Sequence, residues 1–142
     1  MAKNRLNVDY DFDFDLIAIN APVKEYKLAW AMNQNLGLNL AKQENINLDF
    51  SGGKTLSISN FLCNTEHQVF RLLKNRADNQ EEQLQAFFIP EMKHFDYFLR
   101  VADDSSTFDI NPFISSLKQI PFVQFAIKVD IAVLKSKDNL IF

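Results

Sequence analysis

Four aspartates stand at alternate positions near the start of the chain, Asp9, Asp11, Asp13 and Asp15, with Tyr10, Phe12 and Phe14 between them. On an extended strand such residues share one face, spaced about 6.6–7 Å apart. Two neighbouring carboxylates in that row can share a cation. All of them cannot converge without a bend, and calcium takes about six to eight oxygens at about 2.3–2.6 Å. The D-x-D-x-D spacing is similar to the start of a calcium loop, but the glycine and the later acid of that loop are missing: counted from Asp9 they would be Phe14 and Asn20, from Asp11 Leu16 and Pro22. The expected role is a charged row that discourages strand addition at a sheet edge or meets Lys and Arg across the strand. No metal is expected.

A second group, Glu91, His94 and Asp96, lies in or near one turn with Pro90 and Tyr97. A carboxylate beside an imidazole can exchange protons or hold a metal, but His67 is the other histidine of the chain and is distant in sequence. Surface turns collect such residues. Pro90, Glu91, His94, Asp96 and Tyr97 are therefore the candidate binding residues, and none is assigned as catalytic. Cys63, with Glu66 and His67 nearby, invites a thiol nucleophile, yet sequence proximity supplies neither the hydrogen-bonded base nor the positive surroundings that a thiolate needs; a semi-buried structural cysteine is the expectation. Gly52-Gly53-Lys54-Thr55 has the end of a phosphate loop, but its first glycine would fall on Leu48 and no helix is predicted after it.

The elements that must position these residues follow from periodicity. Residues 8–19 alternate, then turn apolar on both faces from Leu16 to Ile19, which predicts a strand that ends in the middle of a sheet. Asn20 is placed to cap a helix with Pro22 in its first turn and Gly37 as its stop, presenting Tyr26, Ala29, Trp30, Met32 and Leu36 to the sheet. Strands are predicted over 46–50, 55–62, 67–75 and 82–89, the third and fourth joined by the polar turn 75–80, the alternative for 65–88 being a helical stretch with Thr65 and Gln68 as capping box ahead of Val69, Leu72 and Leu73. After Pro90 an interior strand carries Phe95, Tyr97, Leu99 and Val101 on one face and Asp96, Phe98 and Arg100 on the other. Asn111-Pro112 opens a second helix, and a last strand shows Val123, Phe125, Ile127 and Val129 on one face against Gln124, Lys128 and Asp130 on the other. A helical turn and a packed tail, Leu140-Ile141-Phe142, close the chain. The fold class expected is α+β: a single-domain, two-layer sandwich, mainly antiparallel, with two helices on one face and a ferredoxin-like C-terminal half.

Composition narrows the function. A chain of 142 residues with fourteen phenylalanines can bury a sizeable core without staples. Its net charge of −3 argues against nucleic acid as a partner. One cysteine excludes an internal disulfide and a four-thiolate zinc site. Neither a signal-peptide pattern nor an apolar run of about 20 residues is present, so a cytoplasmic location without membrane contact is expected.

The run Ile89-Pro90-Glu91-Met92-Lys93-His94-Phe95-Asp96-Tyr97-Phe98-Leu99 resembles the signature of the bacterial IPExxxVDY family, with Phe95 where that signature has valine. The resemblance implies a small stand-alone bacterial protein without an assigned activity, and transfers no catalytic residue. The function expected is a non-catalytic interaction or adaptor protein, a homodimer or the partner of another protein, using a sheet edge or the aromatic turn around Ile89 to Tyr97. The alternative is a small-ligand regulatory module. An enzyme using Glu91, His94 and Asp96 with a divalent ion ranks third. No cofactor is expected.

Overall fold

The computed structural model describes residues 13–50, 53–78 and 86–142. Asp9, Asp11 and residues 82–85 of the predicted 82–89 strand lie outside them. The strands are β1 (Phe14–Asn20), β2 (Ala41–Lys42), β3 (Ile46–Phe50), β4 (Lys54–Ile58), β5 (Asn60–Asn64), β6 (Gln68–Lys74), β7 (Tyr97–Asp103) and β8 (Phe125–Lys128); the helices are α1 (Glu25–Leu36) and α2 (Ile110–Lys118). Six strands form one sheet in the order β2-β5-β6-β7-β1-β8, all neighbours antiparallel, and β3 and β4 form a separate hairpin.

This order explains the sequence pattern of β1. It lies between β7 and β8, so Leu16 to Ile19 are covered on both faces and read as a continuous apolar run. Because β7 and β8 both run antiparallel to β1, they are parallel to each other, and α2 crosses between them: a split β-α-β unit. The same relation holds for β1 and β6 on either side of β7, with α1 and the inserted β2 to β5 between. The ferredoxin-like connectivity therefore extends through both halves of the chain rather than the C-terminal half alone.

Both helices pack on one face, where Leu28 and Met32 of α1 and Ile114 and Leu117 of α2 meet Ile17, Ile19, Leu72 and Leu99. The opposite face is covered as well. Leu56 and Ile58 of the β3–β4 hairpin, Phe88 and Ile89, and Leu134 and Leu140 of the C-terminal segment bury Leu16, Ala18, Leu73 and Phe98. The expected two layers thus carry a partial third.

Six local expectations are corrected. Asn20 ends β1 instead of capping a helix: its Oδ1 accepts the Asp96 N–H at 3.2 Å and its carbonyl the Gln124 N–H at 2.7 Å, so α1 begins later, after Lys24 and without a side-chain cap. Gly37 does end α1, at φ +69. The buried stripe of α1 is Leu28, Ala29, Ala31 and Met32, whereas Tyr26 and Trp30 are each 63 % exposed. At about 100° per residue those two aromatics fall about 160–200° round the helix from Leu28, on its solvent side.

The predicted 55–62 strand breaks at buried Ser59, β4 joining the hairpin and β5 the main sheet. Of the predicted 82–89 strand, Phe87 makes a lone bridge to Arg76, and Phe88 and Ile89 are fully buried in a bend. In α2 the cap is Asp109, which accepts the Asn111 N–H at 3.1 Å and leaves Pro112 at the third helical position. On β8 the inward residue is Ala126, while Phe125 is 61 % and Ile127 41 % exposed, because among the described residues β8 has one neighbour and little above it.

Candidate functional site

Pro90 opens a single 3-10 turn, Pro90–Met92, where its missing N–H leaves no bond unmade. Glu91 reaches the C-terminal segment: its Oε2 accepts the Ser136 N–H at 2.7 Å and its Oε1 the Ser136 hydroxyl at 2.8 Å. Burial pushes the Glu91 carboxyl up, but hydrogen bonds from its own backbone and from Ser136 and Lys135 outweigh this and hold it below the usual carboxylate range. Asp96 turns its Oδ2 to the Ala21 N–H at 2.9 Å. There burial dominates and raises its carboxyl, the Ala21 bond opposing in part. The Tyr97 hydroxyl donates to the Val23 carbonyl. Burial, then the negative charges of Glu25 and Asp96, push that phenol upward. His94 is exposed and contacts neither Glu91 nor Asp96 among the described residues. The five candidates therefore do not converge on one point; Glu91 fastens the C-terminal segment, while Asp96 and Tyr97 both fasten the β1–α1 loop.

What organises the turn is a residue that sequence reasoning passed over. Asn75 is fully buried, its Nδ2 donating to the carbonyls of Met92 (3.0 Å) and Phe95 (2.9 Å) and its Oδ1 accepting the Ile89 N–H at 2.8 Å. Its backbone closes two further bonds, from its N–H to Asp96 O and from Phe88 N–H to its carbonyl. The only signal in the sequence is a lone asparagine at a strand end, and asparagine is common at turns for local reasons.

Beside the turn, between the β1–α1 loop and Phe95, opens a cleft of about 810 Å³. Lys24, Lys27, Lys74, Arg76 and Lys93 line it, against the carboxylates of Glu25 and Asp96. Lys74 is engaged by Glu25 and Asp78, both at 3.4 Å, and Lys27 lies 5.5 Å over the Phe122 ring. Lys24, Arg76 and Lys93 have no ion pair among the described residues.

Compared with family profiles, curated proteins and solved structures, the chain matches none. Geometry alone decides the other residues that the sequence singled out. Asp15 meets Lys128 of β8 at 3.6 Å, a cross-strand partner of the kind expected of the acidic row, and Asp13 is exposed. Cys63 is buried and accepts the Asn39 N–H at 3.4 Å, while His67 faces Asp104 at 3.0 Å instead of the thiol. Gly53 turns, at φ +71, into strand β4 and not into a helix. Among the described residues no three His, Cys, Asp or Glu side chains gather to hold a metal, and no helix is long and apolar enough to cross a membrane.

One carboxylate outside the predicted set stands out electrostatically. Asp103 accepts the Ser105 hydroxyl at 2.6 Å, the Gln68 amide at 2.8 Å, and the Ser105 and Phe108 N–H groups at 3.2 and 3.3 Å. These bonds, the Ser105 hydroxyl foremost, bring its pKa down to about 2. An acid depressed in the folded state contributes stability above its unfolded pKa of about 3.9 and loses it as pH falls through the folded value. Carbon-detected NMR should therefore place the Asp103 midpoint near 2, and Ser105→Ala should move it upward; a midpoint in the ordinary range would discard this hydrogen-bond network.

Proposed function

We propose that the protein is a non-catalytic interaction module that associates with a second copy of itself through β8. The observation behind this reading is the edge: β8 ends the six-stranded sheet, with Phe125, Ile127 and nearby Val133 exposed. Unpaired strand edges with apolar side chains are templates for strand addition. Lys128, the one charge within β8 that would guard the edge, is drawn to Asp15. Antiparallel pairing of β8 with its own copy is an isologous contact and closes at two chains, which is why a second copy is the occupant we favour. The aromatic turn is a poorer surface, since Phe88, Ile89 and Tyr97 are buried within the chain.

Native mass spectrometry should find a dimer at micromolar concentration, and Ile127→Lys should raise the dissociation constant at least about tenfold, or about 1.4 kcal/mol, with unchanged circular dichroism. A wild-type monomer at those concentrations would end this reading.

A second reading is favoured by the cleft: its volume lies within the range of about 300–1,000 Å³ of small-molecule sites, and three of its cations are free of described partners. On that reading the protein is a regulatory module for a small anionic ligand. A thermal-shift screen with amino acids and nucleotides tests it; no stabilisation, or stabilisation unchanged in Lys93→Gln, removes it.

The resemblance to the IPExxxVDY signature gains a physical rationale from the same bonds. Ile89, Pro90, Glu91, Asp96 and Tyr97 are the residues through which the turn is tied to Asn75, Ser136, Ala21 and Val23. We read the signature as a folding motif of that family rather than a contact surface.

A further inference from the structure

Arg71 of β6 and Arg100 of β7 are register partners in adjacent strands, on the face away from the helices. Two like charges directly opposed across a strand pair destabilise a sheet, and here both side chains are partly buried. The pair is nevertheless held firmly. Fully buried Asn60 accepts from Arg71 Nη1 at 2.7 Å and donates its amide to the Glu44 carbonyl. The Phe142 ring lies 5.5 Å from the Arg71 guanidinium and 4.9 Å from that of Arg100, and the Phe14 ring lies 4.3 Å from Arg100.

Between them is a pocket of about 220 Å³ walled by Val69, Arg71, Arg100, Ala102 and Phe142. Among the described residues neither guanidinium has a carboxylate in ion-pair contact. Asp13 is the one described acid whose field reaches Arg100. Asp15 sits opposite Val101 and is paired with Lys128, on the helix side of the sheet.

We propose that this pocket is a binding site for a phosphate dianion, free or as the terminal group of a monoester. Two guanidinium forks fixed side by side match an oxyanion with two charges and several acceptor oxygens. The apolar rim of Val69 and Phe142 suits an ester group, and the site shares no residue with the cationic cleft or with β8.

The test follows the arginine Nε–H signals of the full-length ¹⁵N-labelled chain during titration with inorganic phosphate and with phenyl phosphate at about pH 8, where both are dianions, against sodium chloride of matched ionic strength. Saturable one-to-one shifts of Arg71 and Arg100 are expected with phosphate and not with chloride. Arg71→Gln and Arg100→Gln should each weaken binding at least about tenfold, Arg100→Lys should recover little of it, and Lys93→Gln in the cleft should leave it unchanged. Tighter binding of phenyl phosphate would identify a monoester as the ligand; equal binding would identify free phosphate. The proposal is overturned by shifts that rise linearly as with chloride, or by an affinity indifferent to both glutamine variants. It is equally overturned if saturable binding emerges only after Asp9, Asp11 and Asp13 are changed to asparagine, since the chain's own carboxylates would then fill the pocket.

Discussion

Asn75→Ala is expected to cost the folded state about 3–4 kcal/mol, near the upper end for a single polar substitution. The truncation strands two partly buried carbonyls, those of Met92 and Phe95, and the buried Ile89 N–H. Each orphaned group carries a desolvation cost of about 1–3 kcal/mol, partly relieved where the chain can relax toward water. Domains of this size are stable by about 5–15 kcal/mol, so the variant should unfold at markedly lower urea concentration with an unchanged m-value. Asn75→Asp separates shape from chemistry. It is isosteric, keeps the acceptor for Ile89, and loses both donors, replacing them at neutral pH with a charge aimed at two carbonyl oxygens; it should be at least as damaging as alanine. A loss under about 1 kcal/mol for either variant would show that these bonds are replaceable by solvent.

The contrast between Asn75 and its surroundings shows what the sequence disclosed and what it withheld. Periodicity placed the described end of the predicted 8–19 strand (β1), the interior strand β7 and the Gly37 stop of α1 correctly, because each is decided by burial on a face or by a single backbone conformation. It misjudged α1, where aromatic Tyr26 and Trp30 outweighed smaller Leu28 and Ala31 although the latter point inward. It misjudged β8, whose inner residue is alanine. Both errors have one origin: side-chain size does not decide burial, since the position of the sheet sets which stripe is covered.

The turn residues were legible one by one, but their partners were not. Glu91, Asp96 and Tyr97 find partners 45, 75 and 74 positions away, at Ser136, Ala21 and Val23, and no local pattern encodes such pairs. The Arg71–Arg100 pairing was hidden for the same reason. Each arginine sits in an apolar strand as an ordinary outward charge, and only the register of β6 on β7 brings them together.

Phe88→Ala should be comparably damaging, about 3–5 kcal/mol, through a different mechanism. The ring is fully buried between the sheet and the C-terminal segment, edge-on to Phe98 at 6.2 Å and to Phe142 at 6.4 Å. Its backbone is committed on both sides, the N–H to Asn75 O at 2.7 Å and the carbonyl to the Asn139 amide at 2.8 Å. The segment therefore cannot move in to fill the cavity without breaking those bonds, which places the cost toward the upper part of the range. Phe88→Leu retains most of the volume and should cost less than about 1.5 kcal/mol. Because Phe88 and Asn75 share a hydrogen bond, the double variant should lose less than the sum of the singles. A second readout separates packing from general weakening: Phe142 leans on Phe88 and also on both arginines, so Phe88→Ala should weaken phosphate binding at the Arg71–Arg100 pocket even under conditions where the variant is fully folded. If the variant binds phosphate as the wild type does, Phe142 is held by the arginines alone and the aromatic chain from the core to the pocket carries no coupling.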